Sequence, residues 1–413
     1  MNEFKSDFLR SLQERGYIHQ ITDPQSLDDR ANSSVISAYI GFDATADSLH
    51  IGSLVQIMML RRLQRAGHRP IVLMGGGTTK VGDPSGRDET RQLLTEAQIN
   101  DNIASIRQTF ARFLSFDDGP SGAIMVNNDE WLGALQYIEF LRDVGRHFTI
   151  NRMLTMDSVK LRLEREQPLT FLEFNYMVMQ GYDFVELYQR HGCTLQMGGS
   201  DQWGNIVQGV ELGRRKSDAQ LFGLTSPLIT TASGAKMGKT ASGAVWLNPK
   251  RLSPYDYWQF WRNTEDGDVG RFLRLFTELP LTEIAHLESL QGAEVNAAKQ
   301  VLATEATRLC HGDESAAEAA ATAARAFSGA AAEGLPTYAL KRGESVLIVD
   351  IAIALGMASS KSDGRRLVEQ GGIKLNDQPL HTPGDSITEA DLDSTGTARL
   401  SVGKKRHALI RRA

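Results

Sequence analysis

Residues 37–53 carry the densest set of groups able to do chemistry. A phenol at Tyr39, a carboxylate at Asp43, a hydroxyl at Thr45, an imidazole at His50 and glycines at 41 and 52 fall within one short stretch. A histidine at the start of a helix most often caps it or packs beneath it. Here Gly52 lets a ligand approach the backbone, and the following helix turns its positive dipole end outward, so His50 reads as a donor to a phosphate. Two lysines, Lys236 and Lys239, lie in the glycine-bearing loop from Thr231 to Thr240. Their ammonium groups are compact point charges suited to phosphate oxygens, although the same pair alone describes a solvated turn. Tyr176, Gln180 and Asp183 are spaced i, i+4 and i+7, so a helix places a phenol, an amide and a carboxylate on one side.

The elements that must position these groups follow from the pattern around them. Val35 to Ile40 is apolar and β-branched enough for a buried strand, with Tyr39 near its end. A helix is expected from Leu54 to Ala66, stopped by Gly67, and a second strand from Pro70 to Met74. Strand, helix, strand makes a βαβ unit, hence a parallel sheet with a right-handed crossover. Ligands of such sheets lie beyond the carboxyl ends of the strands, where residues 41–53 and the glycines from Gly75 fall. A helix is read from about Thr95 to Phe116, a strand over Ala123–Val126, and a helix from Thr170 to Tyr188 with Phe171, Phe174, Met177 and Val178 toward the core. Thr194 to Gly199 forms a short strand running into glycines. Residues from Pro254 to about Phe327 read as helical, fading into a linker near Pro336.

The chain has 413 residues, enough for two or three domains. Its 41% hydrophobic and 23% charged content is ordinary for a globular protein. No apolar run reaches the about 18 residues of a membrane span, and the N-terminal stretch around Phe4, Phe8, Leu9 and Leu12 is amphipathic rather than a signal peptide. Two cysteines, Cys193 and Cys310, make neither a disulfide framework nor a cysteine zinc site, so a reducing, cytoplasmic location is expected. The net charge of −5 hides an asymmetry. From Ser394 onward there is no acidic residue, but Arg399, Lys404, Lys405, Arg406, Arg411 and Arg412 are present, a basic end suited to a polyanion.

Four segments together resemble a known family. His50-Ile51-Gly52-Ser53 is similar to the HIGH signature of class I aminoacyl-tRNA synthetases, and Lys236-Met237-Gly238-Lys239-Thr240 to their KMSKS signature. Between these lie Tyr176 to Phe184 and Gly198 to Asn205, which resemble segments specific to the bacterial tyrosyl-tRNA synthetases. In this order and spacing the resemblance covers the whole chain. It implies attack of the tyrosine carboxylate on the α-phosphorus of ATP, then transfer of tyrosine to the 3′ end of tRNA(Tyr). The carboxylate is already a nucleophile at neutral pH, so catalysis reduces to positioning and to stabilising charge on the phosphates.

By the same resemblance, His50, Lys236, Lys239 and Thr45 are the catalytic residues. Asp43, His50, Gly52, Asp201 and Lys239 would bind ATP, and the lysine loop would close during reaction. Tyr39, Asp83, Asn128, Tyr176, Gln180, Asp183 and Gln202 would bind tyrosine. Tyr39 and Asp183 would read the substrate phenol, Asp83, Tyr176 and Gln180 would hold its ammonium, and Asn128 would support the pocket. Position 53 is serine where the family commonly has the second histidine of HIGH; serine keeps a donor but loses reach and charge.

Lys361 to Val368 and Gly371 to Asn376 resemble the small RNA-binding domain shared with a small-subunit ribosomal protein. The expected organisation is therefore an α/β Rossmann-like parallel-sheet catalytic domain (1–228), a helical domain carrying the lysine loop on the anticodon-arm side (229–335), and a small α+β RNA-binding domain (345–413). ATP is expected as substrate with Mg²⁺, without a dedicated protein metal site. A homodimer is implied, and no membrane partner. Two other readings share part of this pattern: another HxGH-type nucleotidyltransferase acting on a small acid, and a non-catalytic RNA-binding relative. The nearest confusable enzyme is tryptophan-specific, and Tyr39 with Asp183 is the discriminating pair.

Overall fold

The computed structural model describes residues 4–82, 94–232, 234, 237, 239–240, 243–328, 335–376, 378–393, 396–403 and 406–412. Their contacts separate two compact units. The first holds residues up to 238 with 244–251 and 265–295; the second holds 239–243, 252–264 and 296 onward.

The first unit is built on a six-stranded sheet of β1 (Gln20–Ile21), β2 (Ser37–Phe42), β3 (Arg69–Met74), β4 (Ile124–Asn127), β5 (Cys193–Gly199) and β6 (Phe222–Ser226), in the order β1-β6-β5-β2-β3-β4. Every pairing is parallel except β1 with β6. The central strands carry unbroken buried runs, as expected where helices cover both faces. The chain turns from β2 toward β3 on one side, while β5 pairs on the other. This reversal opens a crevice at the carboxyl ends of β2 and β5.

Helix α1 (Asp7–Arg15) is capped by Ser6, whose hydroxyl accepts from the Leu9 N–H, and ends at Gly16 with φ of 82°. Helix α2 (Leu54–Arg65) makes the β2-to-β3 crossover, preceded by a 3-10 turn (Ile51–Ser53) and followed by Gly67 at φ of 83°. Helix α3 (Glu96–Phe113) begins with a Thr95–Gln98 capping box. Helices α4 (Tyr176–His191) and α5 (Trp203–Ser217) pack together and flank β5.

Two local expectations are corrected. The first strand begins at Ser37, leaving Val35 exposed, and extends past Tyr39 because Gly41 and Phe42 pair with Leu73 and Met74. The helix read from Thr170 is two helices, Phe171–Phe174 and α4, with Asn175 between them. Thr170 and Glu173 form a capping box around the short first one, which leaves Phe171 69% exposed instead of in the core.

Residues 265–295 also belong to this unit. Arg15 donates to the carbonyls of Arg274 (3.1 Å) and Leu279 (2.7 Å), Tyr17 to that of Leu275, and Arg62 to that of Thr277. Arg61 and Arg65 from α2 both bind Glu278, at 2.7 and 2.8 Å.

In the second unit, α6 (Pro254–Arg262) packs on α8 (Asp313–Ser328), with α7 (Val295–His311) supplying Thr304 as acceptor for the Trp258 indole (3.1 Å). Its C-terminal part is a five-stranded sheet of β7 (Thr337–Leu340), β8 (Ile373–Leu375), β9 (Gln378–Pro379), β10 (Thr397–Val402) and β11 (Arg406–Arg412), ordered β9-β8-β10-β11-β7. Helices α9 (Ile348–Ala354) and α10 (Lys361–Glu369) join it around a core that includes Ile351, Val368, Ile373, Leu400 and Ile410.

Candidate active site

A cavity of about 510 Å³ opens at the carboxyl ends of β2 and β5, in the first unit. Its wall includes Tyr39 from β2, then Asp43, Thr45 and His50 from the turn before α2. Asn128 contributes from beyond β4, Tyr176, Gln180 and Asp183 from α4, and Asp201 and Gln202 from the turn after β5. Ten of the sequence-derived site residues thus meet in one place. Gly52 is not part of this wall. Lys239 opens the two-residue strand Lys239–Thr240. Asp83 and Lys236 lie outside the described residues.

The deepest part is built around Asp183. Its Oδ1 accepts from the Trp131 indole at 2.7 Å and its Oδ2 from the Asn128 amide at 3.0 Å. Asn128 is itself fixed, because its Oδ1 accepts from the Gly77 N–H at 2.8 Å. Burial pushes the Asp183 carboxyl up to about 7, against the pull of the Asn128 and Trp131 donors. Tyr39 lies fully buried, its ring edge-on to Phe184 at 5.3 Å. Burial first, and the neighbouring Asp183 charge second, hold its hydroxyl in the phenol form well above the ordinary range. The Tyr39 hydroxyl has no hydrogen-bond partner, nor do Oε1 of Gln180 and Gln196. Three buried polar atoms left open around one cavity call for a ligand with matching polar groups.

Nearer the mouth, Asp43 Oδ1 accepts from the Thr78 hydroxyl at 3.0 Å and the Tyr176 phenol at 3.5 Å. His50 is both cap and cavity residue. Its Nδ1 accepts from the Gly52 N–H at 3.0 Å, so the neutral ring carries its proton on Nε2. The backbone donors expected to face a ligand here are taken. The Ile51 N–H bonds the Val245 carbonyl (2.8 Å) and the Ser53 N–H that of His50 (2.9 Å). Gly52 has a local reason to be glycine: a Cβ there would sit 2.7 Å from His50 Cε1. Ser53 lines the cavity and makes no capping bond.

Several cavity residues were not singled out from sequence. Gln196 announces itself only weakly, as a lone amide in a largely apolar strand, and Trp131, which donates to Asp183 without lining the cavity, as an aromatic just past a strand end. Thr78, Gln56 and Trp246 line the cavity with no motif to mark them. Among the described residues no group of three or more His, Cys, Asp or Glu side chains could hold a metal ion.

Comparison with known proteins agrees with this geometry. Residues 31–328 match the family described as tRNA synthetases class I (W and Y), and residues 349–393 match the S4 domain. The chain is 60% identical to a tyrosine–tRNA ligase of Caulobacter vibrioides, over 99% of each chain. It is 59% identical to that of Rhodopseudomonas palustris over the full length of both. Among solved structures, the C-terminally truncated mitochondrial tyrosyl-tRNA synthetase of Aspergillus nidulans superposes with a TM-score of 0.70 at 31% identity, covering 78% of this chain and 95% of its own. The chain belongs to the class I tRNA synthetases of the W and Y group, and within them to the tyrosine–tRNA ligase family.

Proposed function

We propose that this chain is a tyrosine–tRNA ligase that forms tyrosyl-adenylate from L-tyrosine and ATP and passes the tyrosyl group to the 3′ end of tRNA(Tyr). One observation carries the choice of amino acid. At the cavity floor a carboxylate held by two donors, Asp183, neighbours a phenol without a partner, Tyr39. A substrate phenol completes both, donating to the carboxylate and accepting from the Tyr39 hydroxyl. Phenylalanine leaves the buried Tyr39 hydroxyl without a partner and the Asp183 carboxylate one donor short, which is costly. Gln180, with Tyr176 and Asp83, holds the substrate ammonium, and Gln202 its carboxylate end. Asn128 fixes Asp183.

The tyrosine carboxylate attacks the α-phosphorus, a carboxyl–phosphate bond forms, and pyrophosphate leaves with the electron pair of the broken phosphoanhydride. No base is needed. His50 donates from Nε2 to a phosphate oxygen, Lys236 and Lys239 neutralise the departing pyrophosphate, and Asp43, Thr45, Gly52 and Asp201 seat the nucleotide. ATP enters as its Mg²⁺ complex, with magnesium carried by the phosphates. A ribose hydroxyl of the tRNA end then attacks the tyrosyl carbonyl and AMP departs.

A helical domain over 229–335 and an RNA-binding domain over 345–413 serve the tRNA. The second is supported by the S4 match and by exposed Arg365, Arg366, Lys374 and Arg412 nearby. A cytoplasmic homodimer completes the proposal. Among the described residues, nine of the twelve exposed large apolar side chains fall within 137–172, among them Tyr137, Ile138, Ile150 and Phe171. Concentration of this kind marks an interaction surface.

Mixing the protein with labelled tyrosine and ATP should leave about one retained tyrosyl-adenylate per active site, discharged by tRNA(Tyr). No retained adenylate, or an adenylate that tRNA leaves untouched, overturns the reading.

A further inference from the structure

His50 is gripped from a direction that its motif does not contain. Residues 245–247 run antiparallel to residues 49–51. The Ile51 N–H bonds the Val245 carbonyl at 2.8 Å and the Leu247 N–H bonds the Leu49 carbonyl at 2.9 Å. Those two bonds flank the His50–Trp246 bridge, making it the non-hydrogen-bonded kind of pair, in which facing side chains come closest. The two rings meet edge to face, with centroids 6.3 Å apart and planes at 70°, and both line the cavity. The imidazole also abuts Gly52, which has no Cβ to displace it.

Trp246 is held in turn. The Arg251 guanidinium lies 4.6 Å from the indole centroid, a cation–π distance, and its Nε donates to Asp47 Oδ1. Asp47 belongs to the same turn as His50. A second tie joins the strands one residue further along, where the Asn248 N–H donates to the Ser48 hydroxyl at 3.1 Å. The contacts therefore close a ring from the turn through His50, Trp246 and Arg251 back to the turn at Asp47.

We propose that Trp246 is a positioning residue for adenylate formation, fixing the rotation of the His50 imidazole, and that the Arg251–Asp47 pair holds the indole in place for that task. The inference rests on reading His50 as the donor to a phosphate. The Gly52 N–H anchors one ring nitrogen, and the indole packed against the imidazole restricts rotation of the ring about that bond. The brace costs nothing at the moment of reaction, which is what electrostatic stabilisation requires of its donors. Trp246 lines the cavity beside His50, whereas Tyr39, Asn128 and Asp183 form its amino-acid end, so its expected effect is on ATP chemistry and not on tyrosine affinity.

The test is tyrosine-dependent pyrophosphate exchange by the full chain and its Trp246→Leu, Trp246→Phe, Arg251→Met, His50→Ala and Trp246→Leu/His50→Ala variants. Trp246→Leu should lower kcat between roughly 10- and 100-fold, the scale of a misplaced catalytic group, with KM for tyrosine unchanged. Trp246→Phe, which keeps an aromatic edge, should recover most of that rate. Arg251→Met changes a partly exposed side chain, so it should fold normally and show a smaller loss of the same kind. In the His50→Ala background, Trp246→Leu should cost nothing more, since coupled residues are non-additive. Additive losses in the double variant, a raised KM for tyrosine, or full activity in both Trp246→Leu and Arg251→Met overturn the brace while leaving the role of His50 intact. Unchanged kcat in His50→Ala removes the reading of His50 itself, and the brace with it.

Discussion

At the scale of single residues, Asp183 decides more than any other group. Its two oxygens are each tied to a protein donor, so the carboxylate is aimed before substrate arrives. Replacing it by asparagine keeps the shape but loses the charged acceptor. Asp183→Asn should therefore reduce kcat/KM for tyrosine by roughly 10- to 100-fold and change that for phenylalanine little, narrowing the preference in competition kinetics. Ionisation adds a second signature. Burial raises the folded-state carboxyl to about 7, against an ordinary value of 3.8. The native protein thus holds this proton through a window where the unfolded chain has released it. The stability contributed by Asp183 falls as pH rises across that window, while tyrosine capture rises as the carboxylate forms. A kcat/KM profile for tyrosine should show an inflection near 7 that the asparagine variant lacks. Asp183, Tyr176 and Gln180 are legible in sequence because one helix sets their spacing. Gln196 and Trp131 are not, because only the tertiary fold brings the one to the cavity wall and the other against Asp183.

At the scale of elements, the turn that carries His50 is legible as a strand-to-helix connection, but its partner is not. Nothing local in residues 244–248 says that they run antiparallel to residues 49–51; that contact spans nearly two hundred positions and depends on the tertiary fold. The break at Asn175 escapes for a different reason. The apolar periodicity continues across it, while the Asn175 side-chain amide donates to the Phe171 carbonyl at 2.7 Å and competes with the backbone for that acceptor. Helix α2 is likewise readable as a helix, while its outer role appears only in the structure. Its Arg61 and Arg65 reach Glu278 and fasten residues 274–279 to the catalytic unit. Burial raises the Glu278 carboxyl, but Arg61, Arg65 and Arg62 outweigh it and hold the group below its ordinary value. Its contribution to stability is therefore present at neutral pH and lost as pH falls below the carboxylate range. Glu278→Gln should destabilise the chain by about 2 kcal/mol at neutral pH, with the difference from wild type shrinking in acid, measured by urea denaturation at both conditions.

At the scale of the whole molecule, the same chain carries an adenylation site and a separate RNA-binding end. Removing residues from about Ser345 should leave adenylate formation intact and impair charging of tRNA, with the salt dependence of tRNA binding reduced because its phosphate contacts are lost. Undiminished charging by the shortened chain would assign tRNA binding elsewhere. Both ends of this arrangement are visible in composition and motif; the sharing of residues 239–295 between two units is not, because it depends on which segments return to which core. The central claim is that the cavity selects tyrosine and activates it with ATP. Pyrophosphate exchange run in parallel with tyrosine, phenylalanine and tryptophan tests it most directly. The account predicts rapid exchange with tyrosine and little with the other two; exchange driven by tryptophan, or indifferent to the amino acid supplied, would contradict it.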